Sequence, residues 1–464
     1  MKDKMNINLK VKPVLDPEFV PPVLWNKEFR KKTAREGGEK IVIALERTNG
    51  TKSTYSTDIL KNDQYNLNIK YVERLVKFLL WMKGGHKLTI AGNRNIAERI
   101  KELYSKNGLR AFDNDIMGRK IYARDFSVDF CKLQNIPPAK EISVKLGGNF
   151  DGCRIGFDLG GSDRKCSAVI DGKVVYTEEI EWDPYFQKNP DWHKKEIMDT
   201  LKKAAAKLPK VDAIGGSSAG VYVDNQVRVA SLFRGVSEED FKNKIVNMFR
   251  DIQKEWNDIP FVLVNDGEVT ALAGAMELND TAVLGISMGT SMAVGYVNPE
   301  GNITDWLNEL AFAPVDYRDD APVDEWSGDI GCGVQYFSQQ AVARLAPLAG
   351  IKFGEKVPFP ERLIEVQKLM AEGDERAAKI YKTIGVYFGY TVAHYSDFYD
   401  FRNLLILGRV TSGEGGNLIL STAKEVLKME FPELAEKIKF KIPDEKNKRH
   451  GQAVAAAGLP SVRH

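Results

Sequence analysis

The sequence predicts an α/β protein in which one strand–turn–strand unit occurs twice, behind a small N-terminal α/β module. Three observations carry that prediction. Gly156-Phe157-Asp158-Leu159-Gly160-Gly161-Ser162-Asp163-Arg164-Lys165 reads as an apolar strand that enters a glycine turn and leaves as a second strand. Gly285-Ile286-Ser287-Met288-Gly289-Thr290-Ser291 repeats that pattern at an offset of 129 residues, with Gly289 matching Gly160 and Thr290 matching Gly161. Between and beyond these stretches, short apolar runs alternate with segments of helical periodicity, the pattern of an α/β chain.

Composition sets the bounds. The chain has 464 residues, 43% hydrophobic and 28% charged, with a net charge of +2. That is enough for two or three domains with a large core. Near-neutral charge gives no overall reason to expect nucleic acid, and no apolar run reaches the ~18 residues of a spanning helix. Met1-Lys2-Asp3-Lys4 is followed by no apolar stretch, so no secretory signal is expected. Cys131, Cys153, Cys166 and Cys332 are scattered without metal-ligand spacing, as for reduced thiols in a cytoplasmic protein.

The elements follow in order. Residues 1 to about 40 carry Pro13, Pro17, Pro21, Pro22 and the basic run Arg30-Lys31-Lys32, predicting an extended arm with a solvated charge cluster. Ile41 to Arg47 and Thr51 to Thr57 flank Asn49-Gly50, a strong hairpin signal. Val72, Leu75, Val76, Leu79 and Met82 share one helix face, and Gly84-Gly85 ends that helix. Lys87 to Ala91 reads as a strand and Asn93 to Lys106 as a helix; the module closes near Leu146-Gly147-Gly148-Asn149. Its hairpin comes first, unlike a winged helix-turn-helix. After the opening glycine turn, Asp171-Gly172 marks a hairpin, Lys194 to Leu208 a helix and Val211 to Gly215 a strand. Ser217-Ser218-Ala219-Gly220 breaks the chain, Asp224-Asn225 turns a hairpin, and Phe241 to Trp256 is amphipathic. The strand Phe261 to Val264 runs into Asn265-Asp266-Gly267. Later, Asp374 caps a long helix to about Ser396, and the strand Asn403 to Leu407 meets Gly408. Thr411-Ser412-Gly413-Glu414-Gly415-Gly416 then opens a helix, and Gln452 to Leu459 forms a small-residue helix at the end.

Glycine-rich turns thus stand near residues 160, 289 and 413. None ends in Gly-Lys-Ser/Thr, and none has the spaced glycines of a dinucleotide fingerprint. A structural turn is the plain reading of any one; together with the duplication they point to a nucleotide cleft, since small residues let backbone N–H groups approach phosphate. Asp266 lies at the end of a strand and the start of a helix, where open α/β sheets bind ligands. There it could take a proton from an attacking hydroxyl; the competing reading is a helix N-cap. Asp158 could hold Mg²⁺ through its hard oxygens; the competing reading pairs it with Lys165 or Arg164. Cys332 and His193 have no partner pattern and read as structural.

On these residues the chain from about Arg154 to the C-terminus resembles the ROK (repressor, open reading frame, kinase) sugar kinases of the actin/hexokinase/Hsp70 superfamily. Asp158 to Lys165 resembles the family's first phosphate motif, and Gly289-Thr290-Ser291 the second. Val264-Asn265-Asp266-Gly267 to Leu272 resembles the segment in which Asn holds the sugar and Asp is the base. Leu407-Gly408-Arg409-Val410 through Gly416 resembles the adenosine-side turn, and Gly331-Cys332 to Ser338 another family segment. The family's zinc cysteines are reduced here to Cys332, its zinc-binding His is replaced by Phe312, a sugar-contacting Glu by Val334, and a sugar-binding Asn by Ser231, whereas Glu309 is kept.

The resemblance implies a two-lobed actin-like (ribonuclease H-like) ATPase fold with duplicated lobes. The expected domains are 1–150, an N-terminal extension; 151–275, the first lobe; and 276–464, the second, with the C-terminal helix returning to the first. It implies an ATP- and Mg²⁺-dependent, homodimeric carbohydrate kinase acting on a sugar-like molecule; the departures, which leave one cysteine, imply no zinc, and the composition implies a cytoplasmic protein without membrane or nucleic acid partners. Asp266 is the expected base. Gly160, Gly161, Ser162, Lys165, Gly289, Thr290 and Ser291 are expected at phosphate, and Asp158 at Mg²⁺. Gly408, Gly413, Gly415 and Gly416 are expected at adenosine, and Asn265, Ser231, Glu309 and Ser218 at the acceptor. The alternative is a non-catalytic sugar-sensing regulator acting through residues 1–150; a further one makes residues 41–145 an oligomerisation or lid module.

Overall fold

The computed structural model describes residues 5–63, 66–145, 147–354, 356–442 and 451–461; the Met1-Lys2-Asp3-Lys4 opening and Leu146 of the module's closing loop lie outside them. The described residues form two compact units that the chain visits in turn. One contains those within 1–142, 286–294 and 305–441; the other contains those within 143–285, 295–304 and 442–464.

The first unit corrects one expectation at once. Pro22–Glu36 is a helix, α1, rather than part of an extended arm. Pro22 sits in the first turn, where its missing N–H costs nothing and its fixed φ suits a helix. Trp25 and Phe29 bury one face, and Phe29 stacks on Tyr71 with ring centroids 4.2 Å apart. The basic run is spent on ion pairs within this unit: Arg30 pairs with Asp397, Lys31 with Glu28 and Lys32 with Glu36.

The predicted hairpin follows as β1 (Gly38–Glu46) and β2 (Lys52–Leu60), with Glu46 opposite Lys52 across the Asn49-Gly50 turn. Helix α2 (Leu67–Lys83) ends at Gly84, whose φ of 73° suits glycine. Next come β3 (Lys87–Ala91), α3 (Arg94–Leu103), α4 (Ala111–Asp115) and β4 (Ser127–Cys131). Asn93 caps α3 by accepting from the Ile96 N–H at 3.0 Å. The sheet order is β2-β1-β3-β4, mixed in direction because β3 and β4 are parallel.

This module is bolted to later residues of the same unit. The Lys77 ammonium, 1% exposed, lies 3.0 Å from Asp113 and 3.1 Å from Asp329. Arg74 and Arg110 also pair with Asp329, and both pair with Glu73. Three buried cations therefore meet three buried carboxylates, the arrangement a low-dielectric interior requires. The last carbonyls of a helix lack intrahelical donors. In α2, those of Trp81 and Met82 accept from the backbone N–H groups of Glu309 and Asn308, each at 2.9 Å.

The second unit begins with β5 (Ser143–Val144), then β6 (Cys153–Leu159), β7 (Asp163–Ile170) and β8 (Lys173–Glu181). Helix α5 (Pro190–Ala205) leads to β9 (Ala213–Ser218), and β10 (Val221–Val223) pairs with β11 (Gln226–Val229). The short α6 (Glu238–Asp240), α7 (Met248–Glu255), β12 (Phe261–Asn265) and α8 (Asp266–Leu278) follow. The main sheet runs β12-β9-β6-β7-β8. Its first three strands are parallel; β7 and β8 extend it antiparallel. Every residue of β6 is buried, as expected of a strand covered on both faces. Phe157, Ile197, Leu201, Phe249 and Phe261 belong to the core cluster behind it.

Strands β13 (Val283–Met288) and β14 (Met292–Val297) carry the chain between units, and β15 (Ile303–Thr304) pairs with β5. The first unit resumes with α9 (Gln339–Leu348), α10 (Phe359–Ala371), α11 (Glu375–Tyr395), β16 (Asn403–Leu407), α12 (Gly413–Glu430), α13 (Pro432–Lys437) and β17 (Lys439–Lys441). The last helix, α14 (Gly451–Ala457), belongs to the second unit. It lies against β6 and β9 where a Cβ on Gly156 would strike the Ala453 carbonyl and one on Gly215 the Ala456 carbonyl. Glycine is required there by the closeness of the helix backbone. Among the described residues no helix is long and apolar enough to cross a membrane.

Candidate active site

In the second unit, three parallel strands end side by side. The register sets Asp158 of β6 opposite Ser217 of β9, and Ser217 opposite Val264 of β12. The next row is Leu159, Ser218 and Asn265. Asp266 is the first residue of α8, immediately beyond that row. Sequence positions more than a hundred residues apart thus reach one strand-end edge, the place where open α/β sheets take ligands.

The two acidic residues are built differently. Asp158 is 4% exposed, and burial raises its pKa above the ordinary carboxylate range, partly opposed by Lys165. Lys165 stands opposite Asp158 on β7, its Nζ 3.9 Å from Asp158 Oδ2 and 2.5 Å from Asp163 Oδ1. Burial works against that ammonium, but the hydrogen bond to Asp163 and the charge of Asp158 outweigh it and raise its pKa. Asp266 is half-buried, and its pKa is pushed up to about 6, first by burial and then by the negative charge of Asp158. Its Oδ1 accepts from the Gly267 N–H at 3.0 Å.

The N-cap of α8 is Asn265, not Asp266. The Asn265 side chain accepts from the Gly267 N–H at 2.7 Å and donates to the Gly220 carbonyl at 2.7 Å. Capping therefore does not account for the aspartate. A carboxylate with a pKa near 6 beside a second buried carboxylate is suited to accept a proton near neutral pH.

The glycine turn stands at the end of β6. Gly160 donates its N–H to the Asp163 carbonyl at 2.9 Å, which closes the turn. Among the described residues, no hydrogen bond engages the N–H of Gly161 or Ser162. The exposed Ser162 hydroxyl donates to Asp163 at 2.9 Å. The Trp182 indole N–H holds the Gly160 carbonyl at 2.8 Å, and the Trp182 backbone N–H holds that of Ser162 at 3.1 Å. Ser218 is fully buried and accepts from the Tyr222 hydroxyl at 2.7 Å, so it lies within the wall of the edge. Ser231 is exposed at the start of a short 3-10 turn.

In the first unit the second turn has the same construction. The Gly289 N–H donates to the Ser291 carbonyl at 2.9 Å, and the Gly289 carbonyl accepts from the Gln339 N–H of α9 at 2.9 Å. Thr290 and Ser291 are exposed. Gly408 has φ 100° and presses on the backbone of Met288, where any Cβ would collide. Gly413 opens α12 exposed, with φ 68°. Gly415 and Gly416 are buried: a Cβ at the first would meet the Tyr381 ring, and at the second the Thr411 backbone. Packing alone accounts for those two glycines.

Glu309 is half-buried and tied by its backbone to α2, as described above. Phe312 packs on Trp81 of α2 with centroids 4.5 Å apart. Cys332 is buried, its Sγ 3.9 Å from Asp329 and its thiol pushed up to about 12 by burial. Among the described residues no group of three or more His, Cys, Asp or Glu side chains is placed to hold a metal. For Mg²⁺ the requirement is lower, one or two carboxylates with water and phosphate completing the shell. Asp158 fits it, since it is a carboxylate whose charge burial disfavours and a cation would stabilise.

Sequence reading did not single out Trp182 and Tyr185, which touch the glycine turn, Tyr222, which holds Ser218, or Arg234, which lies over the Tyr185 ring. The aromatic run Trp182-Asp183-Pro184-Tyr185-Phe186 directly after β8 was the available signal.

No protein-family model matches this sequence, and no curated protein matches it. Solved structures do. The ROK hexokinase from Thermus thermophilus aligns with a TM-score of 0.52 at 15% identity, over 66% of this chain and 97% of that one. A ROK family transcriptional regulator, homologous to the MLC protein of E. coli, aligns with a TM-score of 0.51 at 16% identity, over 67% of this chain and 78% of that one. At such identities the likeness is one of fold.

Proposed function

We propose, for a chain that has the actin-like ATPase fold of ROK proteins, ATP- and Mg²⁺-dependent transfer of a phosphoryl group to a hydroxyl of a sugar or sugar-like molecule. The observation that carries the proposal is Asp266, the first residue of α8 beyond the parallel strand ends, with its pKa pushed up to about 6 by burial and by Asp158. A group of that basicity takes the proton from an acceptor hydroxyl as the oxygen attacks phosphorus. Asn265 fixes the start of α8 and thereby the direction of Asp266. The N–H groups of Gly161 and Ser162 bind phosphate oxygens, and Lys165 supports Asp158. Asp158 would hold Mg²⁺, which supplies charge neutralisation at the phosphates when bound, while Asp266 stays off the metal as the base.

Gly289, Thr290, Ser291, Gly408 and Gly413 are proposed as nucleotide contacts and Glu309 and Ser231 as acceptor contacts. Gly415 and Gly416 are needed by packing and Ser218 by the wall, so their roles towards ligand are indirect. The likeness to hexokinase supports this reading; the likeness to a regulator supports a second one, sugar sensing without transfer. The discriminating experiment is ADP release from Mg-ATP with neutral, amino and acidic sugars. Transfer predicts sugar-dependent ADP release; salt-dependent DNA binding by the full chain without such release would favour the sensor.

A further inference from the structure

The segment after β8 folds over the glycine turn and brings a cation with it. A Cβ built on Gly161 would strike the Tyr185 hydroxyl, so that hydroxyl touches the turn itself. The Arg234 guanidinium lies 4.1 Å from the centre of the Tyr185 ring and 5.2 Å from that of Phe186. Arg234 is exposed and, among the described residues, forms no salt bridge. Stacking leaves the edge of a guanidinium, with its N–H fork, free to meet an anion.

The two segments are fixed to each other. His193 Nε2 lies 3.2 Å from the carbonyls of both Pro184 and Leu232. Gly235 passes so close that a Cβ there would stand 2.6 Å from the Gln187 carbonyl and 3.0 Å from that of Tyr185. Trp182 is anchored to the Gly160 and Ser162 carbonyls. Arg234 is therefore held three residues from Ser231 and one aromatic ring away from Gly161.

From this geometry we infer that Tyr185 and Arg234 form an anion-binding pair beside the glycine turn, taking an anionic oxygen of the phosphoryl group being transferred or of an acidic acceptor. The Tyr185 hydroxyl donates to that oxygen and the Arg234 fork neutralises it. The inference rests on the phosphate role proposed for the Gly160 turn, and it names a recognition pair that the glycine motifs do not include.

The test is titration calorimetry on the full chain with two probes, a non-hydrolysable ATP analogue with Mg²⁺ and glucuronate, and with glucose as the neutral counterpart. Arg234→Gln should weaken one probe by roughly tenfold to a hundredfold, the loss of a charge-assisted hydrogen bond. Arg234→Lys should recover only part of that, because lysine keeps the charge but not the stacked fork, and Tyr185→Phe should weaken it less than Arg234→Gln. Weakened analogue binding identifies the phosphoryl group; weakened glucuronate binding with analogue and glucose unchanged identifies an acidic acceptor. If wild type binds the analogue and Arg234→Gln, folded by circular dichroism, binds every probe as wild type does, the pair is refuted while the phosphotransfer reading stands. A wild type that binds no probe overturns both.

Discussion

Replacing Asp266 by Asn should abolish most turnover and, above pH 6, stabilise the fold. The side chain keeps its shape and can still accept from the Gly267 N–H, a 3.0 Å bond. What disappears is a charge that the folded protein disfavours. The folded pKa of about 6 stands above the roughly 4 of an unfolded aspartate. Between those values the folded state binds more protons than the unfolded one, so stability falls as pH rises. Two pKa units correspond to about 3 kcal/mol at most, and solvent contact of the half-buried side chain reduces this to about 1–2 kcal/mol. Asp266→Asn should therefore exceed wild type by about 1–2 kcal/mol at pH 8 in urea unfolding, with the gap closing towards pH 4. Its rate should fall by about 10²–10⁴, the usual contribution of a general base. A variant equally destabilised at both pH values, or one with full activity, would refute the assignment of Asp266 as a strained base.

Three further outcomes follow from the same geometry. Wild-type kcat/KM should rise with pH through about 6 as Asp266 loses its proton, and Asp158→Asn should move that limb to lower pH, because the Asp158 charge helps to raise Asp266. Gly156→Val should displace α14 from β6, at a cost of about 1–3 kcal/mol in chemical unfolding and with new proteolytic cleavage near residue 451. Lys77→Met should cost about 3–5 kcal/mol, since it leaves Asp113 and Asp329 buried with one cation fewer, and the loss should be visible as a lower urea midpoint.

Local signals in the sequence were reliable where chemistry is local. Asn49-Gly50, Asp171-Gly172 and Gly84 each mark the turn or helix end that the structure has, because positive φ is a property of single residues. Helix α1 was hidden because proline at N1 looks the same in sequence as proline in an arm. The strand-end edge was legible in its parts, Asp158, Ser217-Ser218 and Asn265-Asp266. Its assembly was not, since parallel registers join segments with no sequence mark of pairing. Sequence could not separate Asn265 from Asp266 as the cap; the hydrogen bonds do. At Gly415 and Gly416 the structure adds a packing requirement that sequence cannot separate from close approach to a nucleotide, since a neighbouring ring and backbone demand the same residue. The bonding of α2 to Glu309 and Asp329 was invisible, as it links positions more than two hundred residues apart.

The most direct measurement of the central claim is ADP release from Mg-ATP by wild type and Asp266→Asn in parallel, across neutral, amino and acidic sugars, with the phosphorylated product followed by ³¹P NMR. The account predicts sugar-dependent release and a sugar phosphate with wild type, and at least a hundredfold less of both with Asp266→Asn while nucleotide binding persists. Equal release by the two proteins, or none by wild type with any sugar despite bound nucleotide, would contradict it.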